Sequence, residues 1–174
     1  MQLSPDQRGS LAELAIAHEA AGLGVGVFVP LTAGLRYDLV FDVQGKLFRV
    51  QCKTALWKRD VVVINCRSCR RTADGYDRRS YSSDEVDLVA AHCAETERCY
   101  LLTPWRFAGQ TAVQLRLAPT RNNQSERINW ADDFEFAATL ASLGAVAQLG
   151  ERQHGMLEVT GSIPVGSTSD LRLL

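Results

Sequence analysis

The sequence predicts an α/β fold in which a mixed central sheet is flanked by helices. Predicted helices and strands alternate along the chain, which is typical of layered folds of this kind. The 174 residues suffice for one domain with a substantial core but are few for two. Apolar residues make up 46% of the chain and charged residues 22%, which indicates a globular domain and excludes a disordered or fibrous one.

A first helix is predicted close to the start of the chain. Ser4 suits the N-cap position, Pro5 suits the first helical position, and Gln7 completes a capping box. Apolar residues follow at helical spacing, and Gly22 and Gly24 predict the end of the helix.

The rest of the chain shows alternating strand and helix patterns. Runs of β-branched and aromatic residues predict strands at 25–29, 36–43, 46–55, 60–65, 99–103 and 112–117. The pattern also predicts a short helix at 84–91, capped by Ser82 or Ser83, and a final helix at 130–143. Polar composition predicts loops at 67–80 and 121–129.

The overall charge of −1 conceals a strongly basic segment. Residues 46–80 contain ten Lys and Arg against three Asp, so the local charge is +7. A basic stretch of this size favours a polyanionic partner, most commonly the phosphate backbone of a nucleic acid. The alternative is a solvated charged surface with no partner.

The sequence predicts a cytoplasmic protein that does not enter a membrane. No apolar leader opens the chain, and glycines and charged residues interrupt the apolar stretch at 11–35. Five cysteines without a leader fit a reducing compartment better than a disulfide framework. Cys66 and Cys69, with Cys93 and Cys99, allow a zinc site, but we do not expect zinc because buried cysteines explain this pattern more simply.

One predicted hairpin would bring polar side chains together. Gln44 and Gly45 form its turn, and symmetric pairing about them places Asp38 opposite Gln51, on the same sheet face as Lys53. Cross-strand neighbours on one face lie about 5–8 Å apart. The opposite face is apolar and would belong to the core. A one-residue bulge would destroy this alignment.

An acid, an amide oxygen and a lysine in one place fit metal-assisted hydrolysis of a phosphodiester. Mg²⁺ prefers hard oxygen ligands, such as those of Asp38 and Gln51, and keeps waters, one of which can become the nucleophile. Lys53 would orient that water or offset the charge that grows on the phosphate. Glu13, on the first helix, is the candidate for a second carboxylate because small residues one turn away on either side would let the helix approach the sheet. The alternative is an exposed Asp38–Lys53 ion pair with Glu13 on the surface.

Three segments resemble the PD-(D/E)xK nuclease superfamily: Gly9-Ser-Leu-Ala-Glu13, Arg36-Tyr-Asp-Leu-Val-Phe-Asp42 and Arg49-Val-Gln-Cys-Lys-Thr54. The most similar branch is that of the intron-encoded homing endonucleases, in which Gln replaces the Glu of the E-x-K strand. The similarity continues through 81–87, 98–102 and 121–124, so it spans roughly residues 5–140. One departure from the pattern is that Tyr37, not Pro, precedes the first acidic residue.

The resemblance implies a restriction-endonuclease-like fold and a Mg²⁺-dependent DNA endonuclease of the homing or mobile-element type, in which Mn²⁺ can replace Mg²⁺. It implies Asp38, Gln51 and Glu13 as metal ligands and Lys53 as the catalytic lysine. Double-stranded DNA would be the partner, and cutting both strands calls for a homo-oligomer, either a dimer or a tetramer. We predict DNA contacts from Arg36, Arg49, Arg70, Arg71, Arg78, Arg79, Arg121, Asn122, Asn123 and Gln124.

Two other functions stay open at this point. A Holliday-junction resolvase would use the same chemistry on branched DNA. A domain of the same fold could also bind DNA without cutting it.

The C-terminal segment is predicted to lie outside the nuclease-like domain. We assign residues 1–143 to that domain, because residues 144–174 show no steady helical or strand period. When back-translated, 144–153 and 158–168 resemble the D-arm and T-arm of a transfer RNA gene, and 154–156 its anticodon loop. We therefore predict an in-frame read-through tail that is disordered or poorly packed. The alternative is an ordinary low-complexity tail.

Overall fold

A computed structural model describes residues 3–73, 75–119 and 126–145 of the chain. The strands are β1 (Gly26–Phe28), β2 (Leu39–Val43), β3 (Lys46–Thr54), β4 (Leu56–Lys58), β5 (Val61–Asn65), β6 (Arg67–Thr72), β7 (Gly75–Ser80), β8 (Leu88–Cys93), β9 (Arg98–Leu102) and β10 (Ala112–Arg116). The helices are α1 (Pro5–Gly22), α2 (Pro104–Phe107) and α3 (136–145), and a 3-10 turn at Ala131–Phe134 precedes α3.

Within the described residues, five strands form a mixed central sheet in the order β1-β2-β3-β8-β9. The central pair, β3 and β8, is parallel, whereas the outer pairs are antiparallel. The predicted α/β fold with a mixed central sheet flanked by helices is confirmed.

Both long helices, α1 and α3, pack on one face of this sheet. Ile16 of α1 joins Phe41, Val50 and Leu101 of the sheet and Phe136 of α3 in one buried cluster. Phe41 and Phe136 meet edge to face with their ring centroids 6.1 Å apart. Burial of such large apolar side chains, each worth about 1.5–3 kcal/mol, holds the helices on the sheet.

The other face of the central sheet is covered by a second, three-stranded sheet in the order β10-β5-β4 and by the short helix α2. Val89 and Tyr100 of the central sheet are buried there with Ile64 and Leu115 of the second sheet and Phe107 of α2. Both faces of the parallel strands β3 and β8 are therefore buried, as is usual for parallel strands.

The predicted start of α1 is confirmed in detail. Gln7 N donates a hydrogen bond to Ser4 Oγ at 3.1 Å, and Ser4 N donates to Gln7 Oε1 at 2.9 Å, which together form a capping box. The helix ends at Gly22, as the glycines predicted.

The hairpin of β2 and β3 has the predicted register, with Phe41 opposite Phe48 and Val43 opposite Lys46. Gln44 and Gly45 both have positive φ angles, 55° and 85°, the conformation that a tight two-residue hairpin turn requires. No bulge interrupts the pairing, so the alignment of the polar side chains on this hairpin is retained.

Two helix predictions differ from the structure. The helix expected at 84–91 is wrong, because Leu88–Cys93 is β8, the strand parallel to β3. A strand buried on both faces is apolar throughout and lacks the alternation that marks a strand. The helix expected at 130–143 is interrupted: Ala131–Phe134 is a 3-10 turn, Glu135 bridges to Tyr100 of β9, and the α-helix begins only at 136.

The loop predicted at 67–80 is also wrong, because β6 and β7 pair there as an antiparallel ribbon. Exposed ribbons have no buried face, so their sequence shows no apolar alternation. Strand β4 and helix α2 were likewise not predicted. Residues 120–125, inside the predicted loop at 121–129, lie outside the described residues.

The predicted tail lies almost entirely outside the described residues, since 146–174 are not described. Its assignment as an in-frame read-through segment stays a prediction. Among the helices of the described residues, none is long and apolar enough to cross a membrane.

Candidate active site

Strand β3 extends beyond β2 and leaves an open edge in the central sheet. The pairing of β2 with β3 ends, on the side away from the hairpin turn, where Leu39 lies opposite Val50. Strand β3 continues beyond this pair to Thr54. Helix α1 crosses this extension, and Thr54 Oγ1 donates a hydrogen bond to Arg8 O at 3.3 Å. The α1 segment that carries Glu13 therefore lies beside the end of β3.

Asp38 stands at this edge, directly before β2. Its N–H donates to Val50 O at 2.9 Å, and its Oδ2 accepts hydrogen bonds from Cys52 N at 2.8 Å and from Gln51 Nε2. Gln51 is only 8% exposed. The sequence-predicted contact between Asp38 and Gln51 is present, and Gln51 Nε2 also donates to Cys52 O at 3.2 Å.

The surroundings of the two carboxylates, Asp38 and Glu13, disfavour their charged forms. Burial raises the pKa of Asp38 above its ordinary value, although the Cys52 N–H and the charge of Lys53 oppose this shift. Burial also raises the pKa of Glu13, and the nearby negative charge of Asp38 raises it further. Glu13 is therefore close enough to Asp38 for the two carboxylates to repel each other, and a bound cation would relieve that repulsion.

Lys53 lies on the same face of β3 as Gln51, opposite the core residues Val50 and Cys52. Its Nζ donates a hydrogen bond to the hydroxyl of Tyr81 at 2.8 Å and lies 4.9 Å from the centre of the Tyr81 ring. Burial lowers the pKa of the Lys53 ammonium, while the negative charge of Asp38 opposes this shift. A half-buried cation held in a fixed position beside two carboxylates is suited to neutralise charge on a bound phosphate.

Tyr81 is a site residue that the sequence reasoning missed. It is 2% exposed and lies directly after β7, and the Arg36 guanidinium lies 4.6 Å above its ring. Its position in the 81–87 block was noted for the family resemblance, but nothing in the local pattern pairs it with Lys53, 28 residues away. Only the tertiary structure makes this contact visible.

Arg36 was predicted as a DNA contact, but the structure engages its guanidinium within the protein. Nη1 donates to Ser68 Oγ at 2.7 Å, and Nη2 donates to Ser80 O at 3.1 Å and to Glu85 Oε2 at 3.3 Å. The side chain is 20% exposed. Arg36 therefore binds Ser68 of β6 and Ser80 of β7 beside the site. We no longer expect it to contact DNA.

Arg49, the second predicted DNA contact in the hairpin, is also engaged. Its Nε and Nη2 each donate to the Asp87 carboxylate at 2.9 Å, and its Nη1 donates to Asp84 O at 2.6 Å. This bidentate pair holds β3 to the start of β8 while 37% of the Arg49 side chain stays exposed, so a DNA contact of Arg49 stays a prediction. The basic count in the sequence did not reveal that these two arginines have acidic partners far along the chain.

The other predicted DNA contacts fall into two groups: those whose side chains the structure describes and those whose side chains it does not describe. Arg78 is exposed on β7, and Arg79 is 63% exposed although it pairs with Glu85. Arg70 and Arg71 belong to β6, but their side chains lie outside the described residues, as do Arg121, Asn122, Asn123 and Gln124. DNA binding by any of these residues stays a prediction.

The chemistry of the site fits a hard divalent cation. Asp38, Gln51 and Glu13 offer two carboxylates and an amide oxygen, which are ligands that Mg²⁺ accepts. Within the described ranges, no group of three or more His, Cys, Asp or Glu side chains is placed to hold a metal ion. Of the cysteines considered for zinc, Cys66 is buried, which raises its pKa to about 11 and keeps it a thiol, whereas Cys69 is exposed.

The mixed sheet, with a carboxylate, an amide and an ammonium group at its open edge, fits the restriction-endonuclease-like class that the sequence resemblance implies. Comparison with protein-family profiles matches residues 3–137 to the family described as PD-(D/E)XK endonuclease. The chain belongs to this family and is an endonuclease.

One similar solved structure is that of a bacterial homing endonuclease, I-Ssp6803I. It shares 29% identity with this chain and superposes with a TM-score of 0.67, over 84% of this chain and 98% of that chain. A search of curated proteins gave no significant match. The restriction-endonuclease-like fold and the resemblance to the homing branch are thereby confirmed.

We expect Tyr81→Phe to slow DNA cleavage about five- to thirtyfold with little change in DNA affinity. The hydrogen bond to the Lys53 ammonium, worth about 1–2 kcal/mol, would be lost while the ring and its packing remain. Single-turnover rates and equilibrium binding measure the two effects separately. Tyr100→Phe is the matched control, because Tyr100 is also fully buried but lies two strands along the sheet from Lys53. Equal rates for the two variants would contradict the positioning role of Tyr81.

Proposed function

We propose that this protein is a Mg²⁺-dependent DNA endonuclease of the homing or mobile-element type. The observation that carries the proposal is the contact of Asp38 with Gln51 and Cys52 beside Lys53, in a chain of the PD-(D/E)XK endonuclease family. The similarity to a structure named as a bacterial homing endonuclease supports the homing type. Double-stranded DNA is the proposed substrate, and the five free cysteines favour the cytoplasm as the compartment.

In the proposed mechanism, Asp38, Glu13 and Gln51 would hold the divalent ion through their side-chain oxygens. A divalent ion held there would supply Lewis acidity and an activated water for phosphodiester hydrolysis, and Mn²⁺ would accept the same oxygen ligands. The Cys52 N–H and the Gln51 amide fix the Asp38 carboxylate in one orientation. Lys53, fixed by Tyr81, offsets the negative charge that develops on the phosphate.

Cutting both strands of a duplex requires two such sites, so we propose a homo-oligomer, either a dimer or a tetramer. A cleft of about 860 Å³ between α1 and the β4 edge is lined mainly by apolar side chains and does not include Asp38, Gln51 or Lys53. Exposed leucines on this surface, Leu3, Leu11, Leu14 and Leu56, are those that a second copy would cover.

The proposal predicts that the purified protein nicks supercoiled plasmid DNA in Mg²⁺ or Mn²⁺ and stops when EDTA is added. Asp38→Ala, purified in the same way, should show no nicking, which excludes a contaminating nuclease. Gel electrophoresis of the plasmid separates supercoiled, nicked and linear forms.

The same assay separates the remaining functions. Strong preference for a four-way junction over linear duplex would identify a junction resolvase instead. DNA binding with no cleavage in either metal would identify a non-catalytic DNA-binding domain.

A further inference from the structure

We propose that the two-stranded ribbon formed by β6 (Arg67–Thr72) and β7 (Gly75–Ser80) enters the major groove of duplex DNA next to the phosphate that is cut. We call this element the arginine ribbon. The inference rests on the proposed function, because it takes duplex DNA as the substrate, and it adds the element and the groove by which that DNA is bound.

The charge of the arginine ribbon favours a polyanionic partner. Residues 67–80 contain five Arg and two Asp. Arg78 and Tyr76 are exposed, the latter to 66%, and Arg79 keeps 63% of its side chain exposed while it pairs with Glu85. Arginine and tyrosine side chains presented together on one exposed element can contact phosphates and base edges.

The dimensions of the arginine ribbon match the major groove. Six residue pairs, from Arg67–Ser80 to Thr72–Gly75, extend about 20 Å at a rise of about 3.4 Å per residue. Two strands about 4.8 Å apart, with their side chains, fit a groove about 12 Å wide, whereas the minor groove, about 6 Å wide, is too narrow. In length the ribbon can follow about six base pairs.

The base of the arginine ribbon is fixed to the active site. Arg36 binds Ser68 near the start of β6 and Ser80 at the end of β7. The next residue, Tyr81, accepts the hydrogen bond of Lys53. DNA held by the ribbon would therefore pass the catalytic lysine, and the base pairs that the ribbon contacts would lie within about six of the cut.

An isolated two-stranded hairpin is marginally stable in water, so the attachment also has to order the arginine ribbon. The Arg36 contacts, together with the Arg79–Glu85 ion pair, tie the base of both strands to the body of the protein. These contacts leave Arg78 exposed, which suits a partner outside the protein.

The first test compares Arg78→Ser with Arg106→Ser, an exposed arginine on α2 that serves as the matched control. The probe is a 40-base-pair mixed-sequence duplex, with binding measured by fluorescence anisotropy in Ca²⁺ and nicking measured on plasmid in Mg²⁺. We expect Arg78→Ser to weaken binding about tenfold and the control to change it less than twofold, while only the control lowers the unfolding temperature, because it loses the contacts of Arg106 with Asn129 and the Phe134 ring. Equal affinities of the two variants would overturn the proposal.

The second test identifies the groove. A duplex whose 5-hydroxymethylcytosines carry glucose has a filled major groove, and netropsin fills the minor groove of a normal duplex. We expect glucosylation to weaken binding of the unmodified protein at least tenfold, netropsin to have little effect, and Arg78→Ser to reduce the effect of glucosylation. Displacement by netropsin, or indifference to glucosylation, would overturn the proposal.

The outcomes also separate this inference from the proposed function. Unchanged DNA affinity of Arg78→Ser, with plasmid nicking retained, refutes the role of the arginine ribbon and leaves the endonuclease in place. Absence of nicking by the unmodified protein refutes the proposed function itself.

Discussion

Lys53→Met should lower the rate of DNA cleavage by about a hundredfold or more while DNA affinity changes little. Lys53 holds a fixed positive charge beside Asp38, and removal of one well-placed electrostatic group from an active site commonly costs about 10²–10³ in rate. Methionine retains most of the side-chain volume, so the packing around Tyr81 is preserved. Single-turnover cleavage in Mg²⁺ and binding in Ca²⁺ measure the two quantities.

The unfolding temperature of Lys53→Met shows whether a loss of cleavage comes from misfolding. Burial disfavours the Lys53 ammonium, which is the reason its pKa is lowered, so the apolar methionine should leave the unfolding temperature equal or higher. Lys58→Met, on the exposed strand β4, is the matched control and should cleave at the normal rate. A Lys53→Met protein that cleaves within fivefold of the unmodified protein would remove Lys53 from the proposed mechanism.

Asp38→Asn should abolish metal-dependent cleavage and raise the unfolding temperature in metal-free buffer. The pKa of Asp38 is raised in the folded protein, which means that folding disfavours its charged form, so a neutral side chain relieves a cost of folding. Asparagine can still accept the Cys52 N–H through its side-chain oxygen. A gain of about 1 kcal/mol corresponds to about 2–4 °C for a domain of this size.

The metal response distinguishes a ligand from a merely buried acid. Mg²⁺ or Mn²⁺ should raise the unfolding temperature of the unmodified protein by binding to the folded state, and this increase should be lost in Asp38→Asn. Asp42→Asn is the matched control, because Asp42 lies four residues further along, on β2, and accepts a hydrogen bond from Gly45 N in the hairpin turn. A destabilised Asp38→Asn protein that still responds to the metals would contradict the assignment of Asp38 as a ligand.

The part of the site that the sequence predicts is the part that depends on local geometry. One tight turn at Gln44 and Gly45 fixes the register of β2 and β3, and that register alone puts Asp38 beside Gln51 and on the face of Lys53. The capping box of α1 is equally local. Such features involve residues a few positions apart or symmetric about a turn, so the sequence pattern is sufficient to place them.

The features that the sequence does not predict depend on distant partners. Tyr81 meets Lys53, and Asp87 meets Arg49, only because the chain returns after the arginine ribbon to lay β8 beside β3. The ribbon itself gives no strand signal because it has no buried face. Burial of β8 on both faces likewise removed the alternation by which a strand is recognised in a sequence.

The parallel pairing of β3 with β8 has a consequence for synthesis of the enzyme. Val50 of β3 pairs with Leu88 of β8. Strand β3 therefore gains β8 as its neighbour only after the polypeptide has been made beyond Cys93. Pairings between residues so distant along the chain form slowly, because the entropy of loop closure is lost before the stabilising contacts form. A polypeptide that ends before β8 would therefore lack the neighbour that stabilises β3, and we expect it to be inactive as an endonuclease.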